Sequence, residues 1–206
     1  MSKECNAKME RQLILLNNIW STTYHGPNEL MKRFGISRRM LQRDLKDLRD
    51  AGILDLKYDK ESDNYLVTDT PPAFDQTSTG RRRQHLIRLN RLAVLIGNLP
   101  LTDMQELSHY ESEYQEYIDY EELSLEDPET FPPEDRSDPP DMPVLEDMKK
   151  AYYALFPDSN ERMRQRDFRA LYDAGFGLYY SRRYKAFIYE GFEYYNNEDY
   201  DYDFGF

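Results

Sequence analysis

The residues with the clearest chemical pattern lie between positions 37 and 60. Arginines and a glutamine follow Ser37 on one face of a helical repeat, while Leu41, Leu45 and Leu48 recur on the other. Arginine pairs bidentately with guanine and glutamine with adenine, so such a face suits base edges in the major groove. We predict DNA contact by Ser37, Arg38, Arg39, Gln42 and Arg43, and phosphate contact by Lys46, Lys57 and Lys60. The alternative is a solvated face on a structural helix.

The neighbouring sequence predicts the elements that would position this helix. They are a helix from residue 11, a turn at 24–27, a helix over 28–34 capped by Asn28, a helix over 37–51 capped by Ser37, and strands over 53–58 and 65–67. Gly52 stands where a left-handed residue would end the third helix. Three helices and a hairpin in this order are typical of a winged helix-turn-helix.

Residues 37–53, with Tyr58-Asp59 and Asn64-Tyr65-Leu66, resemble the DNA-binding domain of DeoR-type and WYL-domain bacterial regulators. The resemblance covers residues 10–68, about a third of the chain. It implies a winged helix-turn-helix that binds double-stranded DNA and regulates transcription. The ligand-sensing domain of the larger regulators is not recognised in the remaining residues, and no cofactor is implied.

A second copy of the motif follows at a constant offset of 123. Residues 39–52 and 162–175 are identical at nine of fourteen positions, and Asn160 stands where Ser37 caps the first copy. Strands over 176–180 and 186–189 around a basic turn at 181–185 predict a second wing. The second candidate set is Asn160, Arg162, Arg164, Gln165, Arg166 and Arg169, with Arg182, Arg183 and Lys185 on the wing. DNA contact and protein contact both remain open here, and no first helix is identified at that offset.

The segments between the two copies have mixed patterns. Residues 69–80 predict a linker, and residues 81–123 a helical segment whose first helix begins at Arg81, ends at Leu99 and carries an apolar stripe. We expect a homodimer, and this stripe is either its seam or a surface packed on its own domain. Thr102 and Gln105 predict a capping box for a helix over 103–123. Residues 124–143, with six prolines, predict a disordered or extended linker.

The charge is unevenly distributed along the chain. The net charge is −12, but residues 101–147 alone carry −16 and the tail at 191–206 carries −5, so the two motif copies remain basic. An acidic chain predicts weak non-specific DNA binding. A sharper hypothesis is that the acidic helix around residues 110–122, or the tail, competes with DNA for a basic face.

Several other function classes find little support in the residues. Cys5 is the single cysteine, and His25, His85 and His109 lack metal-ligand spacing, so we predict no metal site. No nucleophile elbow or phosphate-cradling glycine loop is present, and we predict that the chain is not an enzyme. The absence of a long apolar run or signal sequence predicts a cytoplasmic protein without membrane contact.

The sequence therefore predicts a mainly α-helical protein with small β-hairpin wings, a tandem winged helix-turn-helix joined by helices and an acidic linker. The domains are 1–68, the linker 69–80, the helical segment 81–123, the linker 124–143, the second winged helix 144–190 and the tail 191–206. The predicted function is sequence-specific transcriptional regulation. The alternatives are a winged-helix scaffold in chromosome segregation or replication, and an acidic DNA-mimic inhibitor.

Overall fold

The computed structural model describes residues 8–21, 26–68, 70–133 and 137–192, and these residues are mainly helical with two small antiparallel hairpins. The first unit is built from α1 (Lys8–Ser21), α2 (Pro27–Phe34), α3 (Arg38–Asp50), β1 (Leu56–Asp59) and β2 (Asn64–Val67). The helices α4 (Gly80–Asn98) and α5 (Met104–Glu126) follow, then α6 (Met148–Leu155), α7 (Glu161–Asp173), β3 (Phe176–Ser181) and β4 (Ala186–Phe192). Much of the predicted turn at 24–27 and nearly all of the predicted tail lie outside the described residues.

The local signals around α3 act as predicted. The Ser37 hydroxyl accepts a hydrogen bond from the Met40 N–H at 3.3 Å, and Gly52 follows the helix with a φ of +72°. The predicted cap of α2 is wrong. Gly26 is the N-cap residue and makes no side-chain bond, while Pro27 opens the helix, where its missing N–H leaves no hydrogen bond unmade. Asn28 therefore lies inside the first turn.

The second copy of the motif repeats these signals. Asn160 caps α7 by accepting a hydrogen bond from the Met163 N–H at 3.0 Å, and Gly175 ends it with a φ of +85°. Strands β3 and β4 then pair from Phe176 opposite Phe192 to Ser181 opposite Ala186. The predicted second hairpin is confirmed, and its strands are longer than those of the first, which pair over four residues each.

The helix α4 packs on α1 and α3, and it also contacts the second unit: Arg91 donates to Asp167 of α7, and the Ile96 carbonyl accepts the Tyr189 hydroxyl. We infer that α4 is the first helix of the second unit. Its buried side chains are Leu86, Leu89, Leu92, Ala93 and Leu95. The second unit is therefore α4, α6, α7, β3 and β4, with α5 inserted after its first helix. The leucines of the stripe between Arg81 and Leu99 are buried within the chain, so of the two alternatives the stripe packs on its own chain and is not a dimer seam. The homodimer itself stays a prediction.

The two units share one hydrophobic core. Buried residues of α1, α3, α4 and α7 belong to a single cluster that also holds Tyr152 of α6 and the hairpin residues Leu178 and Tyr189. The predicted linker at 69–80 also packs onto the body: the N–H of Asp75 donates to the carbonyl of Asp50 at 2.8 Å, and Phe74 lies against the core. We infer that the units form one folded body.

The helix α5 projects from this body, because only Leu107 and Ser124 along it are buried. The predicted capping box at its start is wrong. Asp103 is the cap, its carboxylate accepting the N–H groups of Gln105 and Glu106, while the Thr102 hydroxyl accepts the N–H of Tyr189. Residues 127–133 turn back along α5, where Phe131 packs on Tyr120 with ring centroids 5.9 Å apart. None of the helices in the described ranges has the length and hydropathy that crossing a bilayer requires.

Candidate nucleic-acid interface

The predicted contact residues of the first unit all lie at the surface. The exposed set on and before α3 is Ser37, Arg38, Arg39, Gln42, Arg43 and Lys46, and Lys57 and Lys60 are exposed on the hairpin. Arg49 is exposed on the same helix. The exposed side chains of α3 therefore comprise five cations and one glutamine, with no carboxylate among them.

The carboxylates of α3 point away from this face. Asp44 is fully buried and accepts two hydrogen bonds from Arg11 of α1, Nε to Oδ2 at 2.7 Å and Nη2 to Oδ1 at 3.1 Å. Gln12 of α1 donates to both Asp44 and Asp47, at 3.1 and 3.0 Å. A buried carboxylate without such partners would destabilise the fold strongly, so α1 fixes which side of α3 faces outward.

Two further cations hold the remaining carboxylates of the helix. The Lys8 ammonium lies 2.5 Å from Asp47, and the Arg82 guanidinium of α4 lies 2.9 Å from Asp47 and 2.6 Å from Asp50. Burial acts to raise the pKa of Asp47, but the hydrogen bonds and charges of Lys8, Gln12 and Arg82 outweigh it and lower that pKa below its ordinary value. Asp47 is therefore ionised, and its charge is balanced by Lys8 and Arg82 of the same chain.

The carboxylates of α3 are thus occupied by cations of other helices, and the outward cations of α3 are not paired with them. Within the described part of the chain, Arg38, Arg39, Arg43 and Lys46 form no ion pair with a carboxylate. Free cations beside the N-terminal end of a helix form a surface of positive potential. Such a face suits an anionic ligand.

The hairpin of the first unit stands beside this face. A groove of about 150 Å³ separates α3 from β1 and β2; Gln42, Lys46, Arg49, Asp55, Leu56 and Tyr65 are among its lining residues. The exposed ring of Tyr58 packs on Tyr65 with centroids 5.5 Å apart and donates its hydroxyl to Asp63 at 2.6 Å. These contacts join the two strands of the hairpin that carries Lys57 and Lys60.

The face of α7 carries the same residue types around a larger groove. Its exposed side chains Arg162, Gln165, Arg166 and Arg169 line a groove of about 550 Å³ together with Met9, Glu10, Arg88, Ala170 and Asp173. Arg169 pairs with Asp173 at 2.8 Å, and Gln165 donates to Glu161 at 2.9 Å. Among the described residues, Arg162 and Arg166 have no ion-pair partner.

The prediction that Arg164 belongs to this exposed set is wrong. Only 2% of its surface is exposed, its guanidinium donates to Glu161, and it lies over the rings of Phe168 and Phe187 at 5.1 and 5.4 Å. The residue at the same place in the first unit is Leu41, which is fully buried. The alignment of the two copies therefore carried the signal that Arg164 lies on the inward stripe.

The second hairpin is partly covered by α5. Arg182, Arg183 and Lys185 are exposed in its turn, but the Arg183 guanidinium lies 3.4 Å from the Glu111 carboxylate and over the ring of Tyr114. Tyr184 is buried and donates its hydroxyl to the same carboxylate. Burial and this hydrogen bond raise the pKa of Tyr184 to about 12. The acidic helix thus contacts the second hairpin.

Sequence reasoning missed the cations at the start of α4. Arg82 neutralises two carboxylates of α3, and Arg81 and Arg83 beside it are exposed. Arg88, nearly two turns further along α4, lines the groove on α7 and donates to the carbonyl of Arg166 at 2.9 Å. The run of three arginines was the available signal, since so dense a run is typical of a contact with anions.

Comparisons with protein-family models, with curated proteins and with solved structures found no match to this chain. The resemblance of residues 10–68 to DeoR-type and WYL-domain regulators stays a prediction. The case for a function therefore depends on the site itself.

Proposed function

We propose that this chain binds double-stranded DNA and that α3, with β1 and β2 as its wing, acts as the recognition helix of a winged helix-turn-helix. The observation that carries the proposal is the separation of charge on α3. Its exposed side chains include five cations and no carboxylate, while Asp44 and Asp47 are buried against cations of other helices. The buried ion pairs stabilise the fold whatever the outward face does. An outward face with cations and no carboxylate also favours approach to phosphates, because an exposed carboxylate would repel them.

The side chains of α3 divide between two kinds of contact. Arg39, Gln42 and Arg43 lie on its first two turns, where bidentate pairing with guanine or adenine reads the sequence. Lys46 on α3 and Lys57 on the hairpin contact phosphates and fix the register without reading bases. Regulation of transcription is the role that such a domain in a small protein supports, in agreement with the resemblance of residues 10–68.

The test is selection of bound sequences from a random duplex pool, followed by anisotropy titration of the selected site at several salt concentrations. We expect a defined motif and a salt slope of several units. Arg43→Ala should weaken binding by roughly 1–3 kcal/mol and relax the motif at one position. Arg43→Lys retains the charge but loses bidentate pairing, so it should relax the motif while the salt slope stays near that of the parent chain.

Arg33→Ala is the matched control, because Arg33 is an exposed cation of α2 outside the proposed face. We expect it to retain the motif and to lose little affinity. No enriched sequence and no binding at low salt would overturn the proposal and favour the DNA-mimic alternative. Equal losses for Arg33→Ala and Arg43→Ala with no change in motif would reduce the interaction to non-specific attraction.

A further inference from the structure

Each unit contains the same buried ion pair between its first helix and its recognition helix. Arg11 of α1 donates to the buried Asp44 of α3, and Arg91 of α4 donates to the buried Asp167 of α7 at 2.5 and 3.0 Å. Asp44 and Asp167 are equivalent in the repeat, so Arg11 and Arg91 are equivalent too. α1 and α4 then align at an offset of 80, with Leu15 on Leu95 and Asn18 on Asn98 among the identical pairs.

Each first helix also reaches across to the other unit. Asn90 of α4 donates to the carbonyl of Ala51, at the end of α3, at 2.9 Å. Its equivalent in α1 is Glu10, which lines the groove on α7 beside Ala170 and Asp173. Each first helix therefore lies close to the C-terminal part of the other unit's recognition helix. An exchange of this kind is what two packed copies of one motif would show.

The starts of the two first helices meet on one side of the body. Lys8 of α1 and Arg82 of α4 both contact the carboxylate of Asp47, while Met9 and Glu10, in the same first turn of α1, border the face of α7. The helix α1 therefore packs against both α3 and α7. Arg81 and Arg83, on either side of Arg82, are exposed cations near these helix starts.

We propose that a single copy of this chain occupies two similar half-sites of one DNA duplex, through α3 and α7 together. The inference rests on the proposed function. Helix-turn-helix proteins commonly pair two chains to place two recognition helices on two half-sites. Here the pairing surface is internal and buried in the shared core. Arg39, Gln42 and Arg43 recur in α7 as the exposed Arg162, Gln165 and Arg166, so the half-sites resemble each other. The unequal hairpins make them non-identical.

The experiment uses the full chain in the duplex selection, with native mass spectrometry of the complex on the selected duplex. We expect two related half-motifs and one chain per duplex. Arg43→Ala should relax one half-motif and Arg166→Ala the other, each with roughly a ten-fold or larger loss of affinity. Arg166→Lys should relax the same half-motif as Arg166→Ala with a smaller change in salt slope. Thermal unfolding of each variant checks that its fold is intact.

Two results would overturn this inference and leave the proposed function standing. One is a single motif whose recognition is unaffected by Arg166→Ala, and the other is two chains on each duplex. Retention of a second duplex by the complex would show that α3 and α7 bind separate molecules and would also overturn it. A chain that enriches no sequence at all would overturn both proposals.

Discussion

The carboxylate of Glu111 on α5 lies 3.4 Å from the guanidinium of Arg183 on the second hairpin. The same carboxylate accepts the hydroxyl of Tyr184, so an acidic helix contacts the hairpin at the point where a wing would meet a phosphate. By contrast, the corresponding turn of the first unit carries Lys60, which has no ion-pair partner among the described residues. The two units therefore differ in how freely their hairpins can approach DNA.

Glu111→Gln tests whether this contact restrains DNA binding. Removing the charge frees Arg183, and one additional phosphate contact should raise the affinity and steepen the salt slope by about 1. Anisotropy titrations at several salt concentrations measure both quantities. Glu113→Gln is the matched control, since it removes the same charge from the same helix but its carboxylate lies beside His109, 3.3 Å away. Equal effects of the two variants would show that only the net charge matters.

The elements around α3 and α7 were predictable because their signals are local. Ser37 and Asn160 cap their helices, and Gly52 and Gly175 end them, each within a few residues of the helix it defines. The burial of Arg164 was also predictable, because Arg164 aligns with Leu41 on the inward stripe of the repeat. Its charge alone suggested an exposed position.

The role of α4 as the first helix of the second unit could not be predicted, for a different reason. Its offset from α1 is 80, whereas the offset of α7 from α3 is 123, because α5 and the proline-rich segment are inserted between them. An alignment of the two copies at the single offset of 123 therefore does not pair α1 with α4, and the second copy is left without a first helix. The contact between Glu111 and Arg183 spans 72 residues and has no local signature. Its formation depends on how α5 leaves the body, which tertiary packing decides.

Asp47 predicts a measurable dependence of stability on pH. Its pKa is lowered in the folded chain, so its contribution to the free energy of unfolding is full above its unfolded pKa, near 3.8, and is lost as the pH falls through the folded value. Asp47→Asn should destabilise the chain at pH 7, because Lys8 and Arg82 lose their shared carboxylate. The difference in stability between the parent and the variant should shrink as the pH falls from about 5 towards 2.

Urea unfolding at a series of pH values measures this difference. Hydrogen bonds also hold the pKa values of Glu161 and Asp75 at about 2, so these groups lose stabilising interactions in acid as well. Because both proteins lose them equally, their contribution cancels in the difference in free energy of unfolding. Asp138→Asn, an exposed carboxylate away from α3, should show no such convergence with the parent. A difference for Asp47→Asn that stays constant down to pH 2 would contradict the network built on Lys8 and Arg82.

The two glycines that end α3 and α7 allow a comparison of backbone strain with packing. Both have a positive φ, +72° at Gly52 and +85° at Gly175, which costs an L-residue roughly 1–2 kcal/mol. A Cβ at Gly52 would also lie 3.2 Å from the backbone N of Phe74 and 3.2 Å from the carbonyl O of Pro72, whereas at Gly175 the nearest atom is 3.9 Å away on Phe192. The segment at residues 72–74 therefore fits closely only against a glycine.

We expect Gly175→Ala to lower the free energy of unfolding by about the strain alone, and Gly52→Ala to lower it by more. Urea unfolding of both variants beside the parent measures the two losses. Gly97→Ala, in α4, where a Cβ meets no neighbouring atom and the backbone is helical, should be neutral or stabilising. Equal losses at Gly52 and Gly175 would mean that residues 72–74 shift readily. The segment between the units would then be a loose connection, with no close packing against the end of α3.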